Sequence, residues 1–143
     1  MPDDDSSKNA LMKRVEVVTV FLFHAQKVFL VRRSTQVRTY QNHWAGISGY
    51  LECPTPLQQA WVEVREETGL GKTDLVLLRQ GAFLDVDDAA RHWRVYPFAF
   101  AVNNPTRIQL DWENVEGSWI DPTALGRFQI VPGLKAALAR VWP

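Results

Sequence analysis

A single cysteine, Cys53, among 143 residues excludes an internal disulfide and fits a reducing compartment. No apolar run approaches the length of a bilayer span, so a transmembrane helix is not expected. The formal net charge is zero, which removes the electrostatic footprint of bulk nucleic-acid or anionic-membrane binding. The opening "MPDDDSSKNA" is acidic and polar rather than a charged-then-apolar secretion signal. We expect residues 1–12 to be a disordered lead-in, residues 13–143 to form one domain, and the cytoplasm to be the location. The three histidines, His24, His43 and His92, are scattered without metal-ligand spacing.

Hydrophobic residues make up 46% and charged residues 22%, enough apolar mass at this length to bury one core. "RVEVVTVFLFHAQKVFLVRRS" reads as two strands, about residues 14–23 and 27–33, joined by a short polar turn. A short strand is expected around "WAGISGYLE", then further strands at "DLVLLRQGAFLDV", "HWRVYPFAFAV" and "GSWIDP". Pro97 suggests an edge or a bulge, because proline cannot donate to a ladder. "PGLKAALARVW" predicts a closing helix with Leu134, Ala137, Leu138 and Val141 as its buried stripe. No repeat or linker interrupts the chain. A mixed sheet with two amphipathic helices must cover both sheet faces, which predicts a three-layer α/β/α sandwich.

"PLQQAWVEVREETGLG", residues 56–71, carries the chemistry. Thr55 with Gln58 makes a capping box, and Pro56 takes the first helical position, where its missing N–H costs nothing. Leu57, Ala60, Trp61 and Val64 form an apolar stripe, and Thr68-Gly69 supplies a stop. Glu63, Glu66 and Glu67 then fall at i, i+3 and i+4 and converge on one neighbouring face. Acids near a helix C-terminus cost roughly 0.3–1 kcal/mol each against the dipole. They also repel one another, and Arg65 points about 100° away around the helix. Either the cluster is a solvated acidic face, or a hard divalent cation with oxygen ligands neutralises it.

"GYLECPTPLQQAWVEVREETGL" resembles the Nudix hydrolase signature G-x5-E-x7-R-E-U-x-E-E-x-G-U, where U is a bulky aliphatic residue. Glu63, Val64, Glu66, Glu67, Gly69 and Leu70 fill its second half in register, and Gly49 resembles its opening glycine. The order of elements over roughly residues 14–142 is similar to that family as well. The chain departs from the signature at Val62, which stands in the arginine slot that orients the helix carboxylates. The loop after Gly49 is one residue short. "ECPTP" has no acid at the first glutamate slot, although Glu52 is near it, and the usual paired glycine reads Ser48-Gly49.

The resemblance implies a Nudix-type fold and hydrolysis of a nucleoside diphosphate linked to another moiety, by water attack on phosphorus. It implies Mg²⁺ or Mn²⁺ held by Glu63, Glu66 and Glu67, with Glu66, Glu67 and Glu113 as catalytic carboxylates. Glu113 enters because relatives often add an acid from the loop before the last strand, here "DWENVEGSW", where Glu116 is the other acid. Ser48 and Gly49 would contribute backbone to the substrate site. Arginine suits phosphate through its forked donors. Arg32 and Arg33 alternate along their strand, so at most one faces the site; Arg32 and Arg38 are the residues carried forward for substrate binding. The partner implied is a small nucleotide or diphosphate, with no nucleic acid and no membrane, and a homodimer is an assembly known among relatives. Asp85, Asp87 and Asp88 read as an acid-rich solvated turn. Tyr40, Trp44, Trp93 and Trp112 are offered for stacking on a planar group, against packing as the plainer use. The alternative class is a non-catalytic sensor of the same fold, which Val62 and the short loop favour and the three intact glutamates oppose.

Overall fold

The computed structural model describes residues 13–142, and the lead-in expected over 1–12 lies outside the described residues. The strands are β1 (Lys13–His24), β2 (Lys27–Arg33), β3 (Trp44–Ala45), β4 (Ile47–Tyr50), β5 (Leu75–Gln80), β6 (Leu84–Asp87), β7 (Arg91–Val102) and β8 (Asn114–Ile120). Among the described residues two α-helices, α1 (Pro56–Thr68) and α2 (Leu134–Ala139), join them. The strands form one eight-stranded mixed sheet. β1 and β7 are parallel, from Lys13↔Arg91 to Phe23↔Ala101, and the other strand pairings are antiparallel.

The side-chain alternation of β1 and β7 builds two cores. Val18, Val20 and Leu22 share a face with Phe98, Phe100 and Val102, and Ala60 and Val64 of α1 close over them. Phe21, Val95 and Ala99 point the other way, beneath Leu134, Ala137, Leu138 and Val141 of the α2 segment. Pairs Val20↔Phe98 and Phe21↔Ala99 keep like faces together across the parallel ladder. The sheet is therefore covered on both sides, as a three-layer α/β/α sandwich requires. Among the described residues no helix is long and apolar enough to cross a membrane.

Three elements differ from the sequence expectation. The run 74–86 is two strands, because Gly81 leaves the ladder and passes beneath the end of the α2 segment. A Cβ there would stand 2.9 Å from Val141 Cγ1 and 3.0 Å from Arg140 Cβ. α2 is a helix only over Leu134–Ala139, although Val141 is still buried by the turn that follows. The last strand begins at Asn114, earlier than "GSWIDP" indicated, and so places Glu113 directly at its entrance.

Pro97 lies inside a central strand, paired with Thr19 of β1. On its other side β6 pairs only as far as Val95 and β5 only from Phe98. The Pro97 carbonyl accepts from Gly81 N at 2.9 Å on that side, so the missing N–H falls in the gap between two partner strands. The register of β5 shifts nearby, between Leu77 and Arg79. Proline is tolerated there for the same reason it is tolerated at an edge.

α1 starts as its sequence dictates. Thr55 Oγ1 accepts from Gln58 N, the Gln58 side chain accepts from Thr55 N, and Gly69 takes a left-handed φ of 77° at the far end. The helix sits on the sheet through Ala60, whose small side chain sets the distance. Replacing Ala60 with leucine should cost about 1–3 kcal/mol by overpacking and lift the acidic face from its place. Urea unfolding reads the stability loss; an unchanged midpoint would show that α1 is not held this way.

Candidate functional site

The three glutamates of α1 are treated differently by the fold. Glu63 and Glu67 are buried at 7% and 2% exposure, whereas Glu66 is exposed. Glu63 Oε2 accepts from Gln59 Nε2 at 2.8 Å, and Glu67 Oε1 accepts from Asn114 Nδ2 at 2.9 Å. Glu67 Oε2 is buried with no hydrogen-bond partner. A buried carboxylate oxygen without a partner is costly unless something binds it.

A cleft of about 440 Å³ opens over this face. Its acidic end is formed by Glu63, Glu66, Glu52 and Glu113 with the backbone of Ser48–Tyr50. Gly49 is required here, since a Cβ would collide with the Glu63 carboxylate. The far end is apolar, lined by Val86, Trp93, Val95, Val131 and Pro132. Between them the loop after β2 contributes Arg33, Arg38 and Tyr40. Trp112, largely exposed, stands at the rim beside Glu113.

Of the residues expected from sequence, Glu63, Glu66, Glu113, Arg38, Ser48 and Gly49 line this one cleft. Glu67 lies behind them, held to Asn114 at the start of β8. Arg32 lies elsewhere: its guanidinium pairs with Glu116 at 2.7 Å and with Asn42 at 3.1 Å, outside the cleft lining. Its neighbour Arg33 faces the site instead. Strand alternation puts Arg33 on the face of Phe29 and Val31, the face that packs toward α1. Its Nε donates to Thr39 O at 3.0 Å and its Nη2 to Thr39 Oγ1 at 3.3 Å. Ser34 N donates to Glu113 O at 2.8 Å, which holds the β8 entrance against the same loop.

Gln59, Asn114 and Asp88 were not legible as site residues, whereas Trp93 was among the aromatic residues offered for stacking. Gln59 precedes Glu63 by one helical turn, a signal that the spacing alone carries; the others depend on contacts distant in sequence. Asp88, expected as part of a solvated turn, instead clasps the roof of the cleft. Its Oδ2 accepts from Tyr40 Oη at 2.6 Å and from Trp93 Nε1 at 2.8 Å, while its Oδ1 accepts from Ala90 N and Arg91 N. The Tyr40 bond, with the others, holds the Asp88 carboxyl well below the usual range. Tyr40 is pushed up to about 12 by burial and by that same bond. Asp85 pairs with Arg94 and Asp87 with His92.

Electrostatically the acidic end carries more negative charge than the protein neutralises. Burial pushes the Glu63 carboxyl up to about 7, opposed by the Gln59 bond and assisted by the charges of Glu66 and Glu113. Burial, with the charge of Glu113, raises Glu67 well above the usual range, against the Asn114 bond. Glu113 is raised by burial and by Asp111, with Arg33 opposing. Burial lowers Arg33, and Glu67, Glu113 and Tyr50 counter it.

A hard divalent cation fits this donor set. The donors are carboxylate oxygens: Glu63, which packs against Gly49, and Glu67, whose Oε2 is buried with no hydrogen-bond partner among the described residues. Among the described residues no three His, Cys, Asp or Glu side chains gather tightly enough to hold a metal alone.

The raised acids give a sign to the pH dependence of stability. Across the interval from the ordinary value of 4.5 up to about 7, folded Glu63 holds a proton that the unfolded chain has released. Stability of the cation-free protein should therefore fall as pH rises through that interval and level off above it. Melting temperatures in chelator across it check this; a rising profile would contradict it. Mg²⁺ should restore stability mainly at the upper end, where the carboxylates are charged.

A family model described as the NUDIX domain matches residues 12–141. No curated protein sequence matches the chain significantly. Among solved structures, a MutT protein from Methanosarcina mazei Go1 superposes with a TM-score of 0.76 at 19% identity, covering 91% of this chain and 94% of its own. A C. elegans Ap4A hydrolase in a binary complex gives a TM-score of 0.70 at 18% identity, covering 88% and 93%. The E. coli dihydroneopterin triphosphate pyrophosphohydrolase gives 0.68 at 18% identity, covering 92% and 97%. These likenesses show a shared fold, and the domain match spans nearly the whole chain: the protein belongs to the Nudix hydrolase family.

Proposed function

We propose that the protein is a Mg²⁺- or Mn²⁺-dependent pyrophosphohydrolase whose substrate joins a diphosphate to a planar group of nucleotide type. The observation that carries this reading is the polarity of one continuous cleft. Glu63, Glu66 and Glu113 stand at one end, and Val86, Trp93, Val95, Val131 and Pro132 at the other. The neighbours named as an Ap4A hydrolase and a dihydroneopterin triphosphate pyrophosphohydrolase support a phosphate-chain substrate.

Glu63 and Glu67, with Glu66, would hold the cation, and Gly49 leaves the room that the Glu63 carboxylate occupies. When bound, Mg²⁺ supplies neutralisation of phosphate oxygens. Glu66 is exposed in the cleft and Glu113 lines the same end. Either carboxylate takes the proton of a water as its oxygen bonds to phosphorus and the anhydride P–O bond breaks toward the departing phosphate. Burial and the charge of Asp111 raise the affinity of Glu113 for protons, which suits it to the part of base. Arg33, pinned by Thr39, keeps its charge beside the acids and offers its remaining N–H groups to phosphate. Arg38 stands in the same loop, nearer solvent. Trp93 gives its N–H to Asp88, which fixes the ring against the apolar wall where a planar group stacks.

The test is a screen of nucleoside triphosphates, dinucleoside polyphosphates and nucleotide sugars with Mg²⁺ or Mn²⁺, reading released phosphate or pyrophosphate. Glu67→Gln should lower kcat by more than about a hundredfold, beyond the usual cost of losing an outer-shell partner. Full turnover in that variant would sink the reading. Binding of a compound without turnover by the wild type would favour the sensor alternative. On the substrate so found, Trp93→Ala should raise KM about five- to tenfold with kcat held, as loss of uniform binding does. A fall in kcat at constant KM would remove Trp93 from the binding role.

A further inference from the structure

We infer that Gln59 is the residue that positions the Glu63 carboxylate for a cation, by a neutral hydrogen bond and from inside the helix–loop junction. This deepens the metal-binding reading above and rests on it. Gln59 is only 2% exposed and lies one turn before Glu63 on the same face of α1. Its Oε1 accepts from two consecutive backbone N–H groups, Glu52 N and Cys53 N, both at 2.8 Å. Those two donors decide the orientation of the amide, because a flipped amide would set its NH₂ against them. With the oxygen so committed, Nε2 has to face Glu63, and it donates to Oε2 at 2.8 Å.

The other Glu63 oxygen, Oε1, lies against Gly49, at the floor of the cleft. The carboxylate is thus fixed through Oε2, and Glu63 so held lines the cleft. No cationic side chain among the described residues pairs with Glu63. Position 62, where the signature carries an arginine, is a valine with 37% exposure and no polar side-chain atom. Among the described residues the ion pairs are Arg32–Glu116, His92–Asp87, Arg94–Asp85 and Arg107–Asp74, none of which involves an acid of α1.

A loop staple needs only the Gln59 oxygen. The bond from its nitrogen is what a purely structural role leaves unexplained. Because the amide is neutral, it orients Glu63 without cancelling its charge, which stays available to a cation.

Two measurements test this without relying on turnover. Gln59→Leu preserves bulk and removes both sets of bonds. Mn²⁺ affinity of the folded variant, read by electron paramagnetic resonance, should fall about ten- to hundredfold, the usual cost of losing an outer-shell partner. Unchanged affinity, with only the Glu52 and Cys53 amides losing protection from exchange, would reduce Gln59 to a loop staple and overturn the inference. Should the variant fail to fold, the wild type decides the matter. In ¹⁵N-labelled protein titrated with Mg²⁺, the Gln59 side-chain NH₂ should shift with the same midpoint as the Glu63, Glu66 and Glu67 amides. Shifts in those helix amides with the Gln59 NH₂ unmoved would overturn the positioning role and leave the metal site standing. No shift anywhere along α1 would overturn both.

Discussion

The parallel pairing of β1 with β7 is the constraint on which the rest of the molecule hangs. It runs from Lys13↔Arg91 to Phe23↔Ala101 and fixes which residues of the two strands share a face. α1 has a surface to bury against only because Val18, Val20 and Leu22 meet Phe98 and Phe100 on one side. The cleft has its far wall only because Trp93 and Val95 emerge from β7 on the opposite side. On its other edge β1 pairs with β4 from Val17↔Tyr50 to Val20↔Ile47, which delivers Ser48 and Gly49 to the acids of the helix. A slip of one residue in the central ladder would turn core residues to the wrong face and separate the two ends of the site.

Around that frame the protein handles buried negative charge in an economical way. Two of the three helix carboxylates are withdrawn from water, and each receives one amide donor, from Gln59 or Asn114, instead of a cationic side chain. An arginine there would hold the carboxylates equally well but would also compete electrostatically with any bound ion. Amides fix direction and leave charge. The cationic groups of the cleft, Arg33 at the end of β2 and Arg38 in the loop that follows, come from outside the helix, and Arg33 stands near Glu67 and Glu113.

How much of this was legible from sequence follows from how local each feature is. The capping box, the proline start and the glycine stop are all encoded within one helix, and the structure carries them as read; the shared face expected for Glu63, Glu66 and Glu67 divides instead into two buried carboxylates and one exposed. The two-core sandwich follows from apolar periodicity and also stands. The choice between Arg32 and Arg33 was different, because alternation says that they diverge without saying which face is which. Only the pairing of β2 with β3 and β8 decides it. The break at Gly81 comes from the end of the α2 segment pressing on it, a contact between segments about sixty residues apart. Asn114 and Asp88 act on partners just as remote. Gln59 is the instructive case, since it was visible as a helical residue yet its loop partners gave no sign in the spacing.

The Asp88 clasp has a mechanical consequence. Tyr40, from the loop after β2, and Trp93, from β7, both line the cleft and both bond to the same oxygen, and the other oxygen is committed to the backbone of Ala90 and Arg91. The carboxylate therefore has no spare capacity with which to follow one wall while keeping the other. A guest too wide for the apolar end has to break a charge-assisted bond outright and cannot simply stretch the opening.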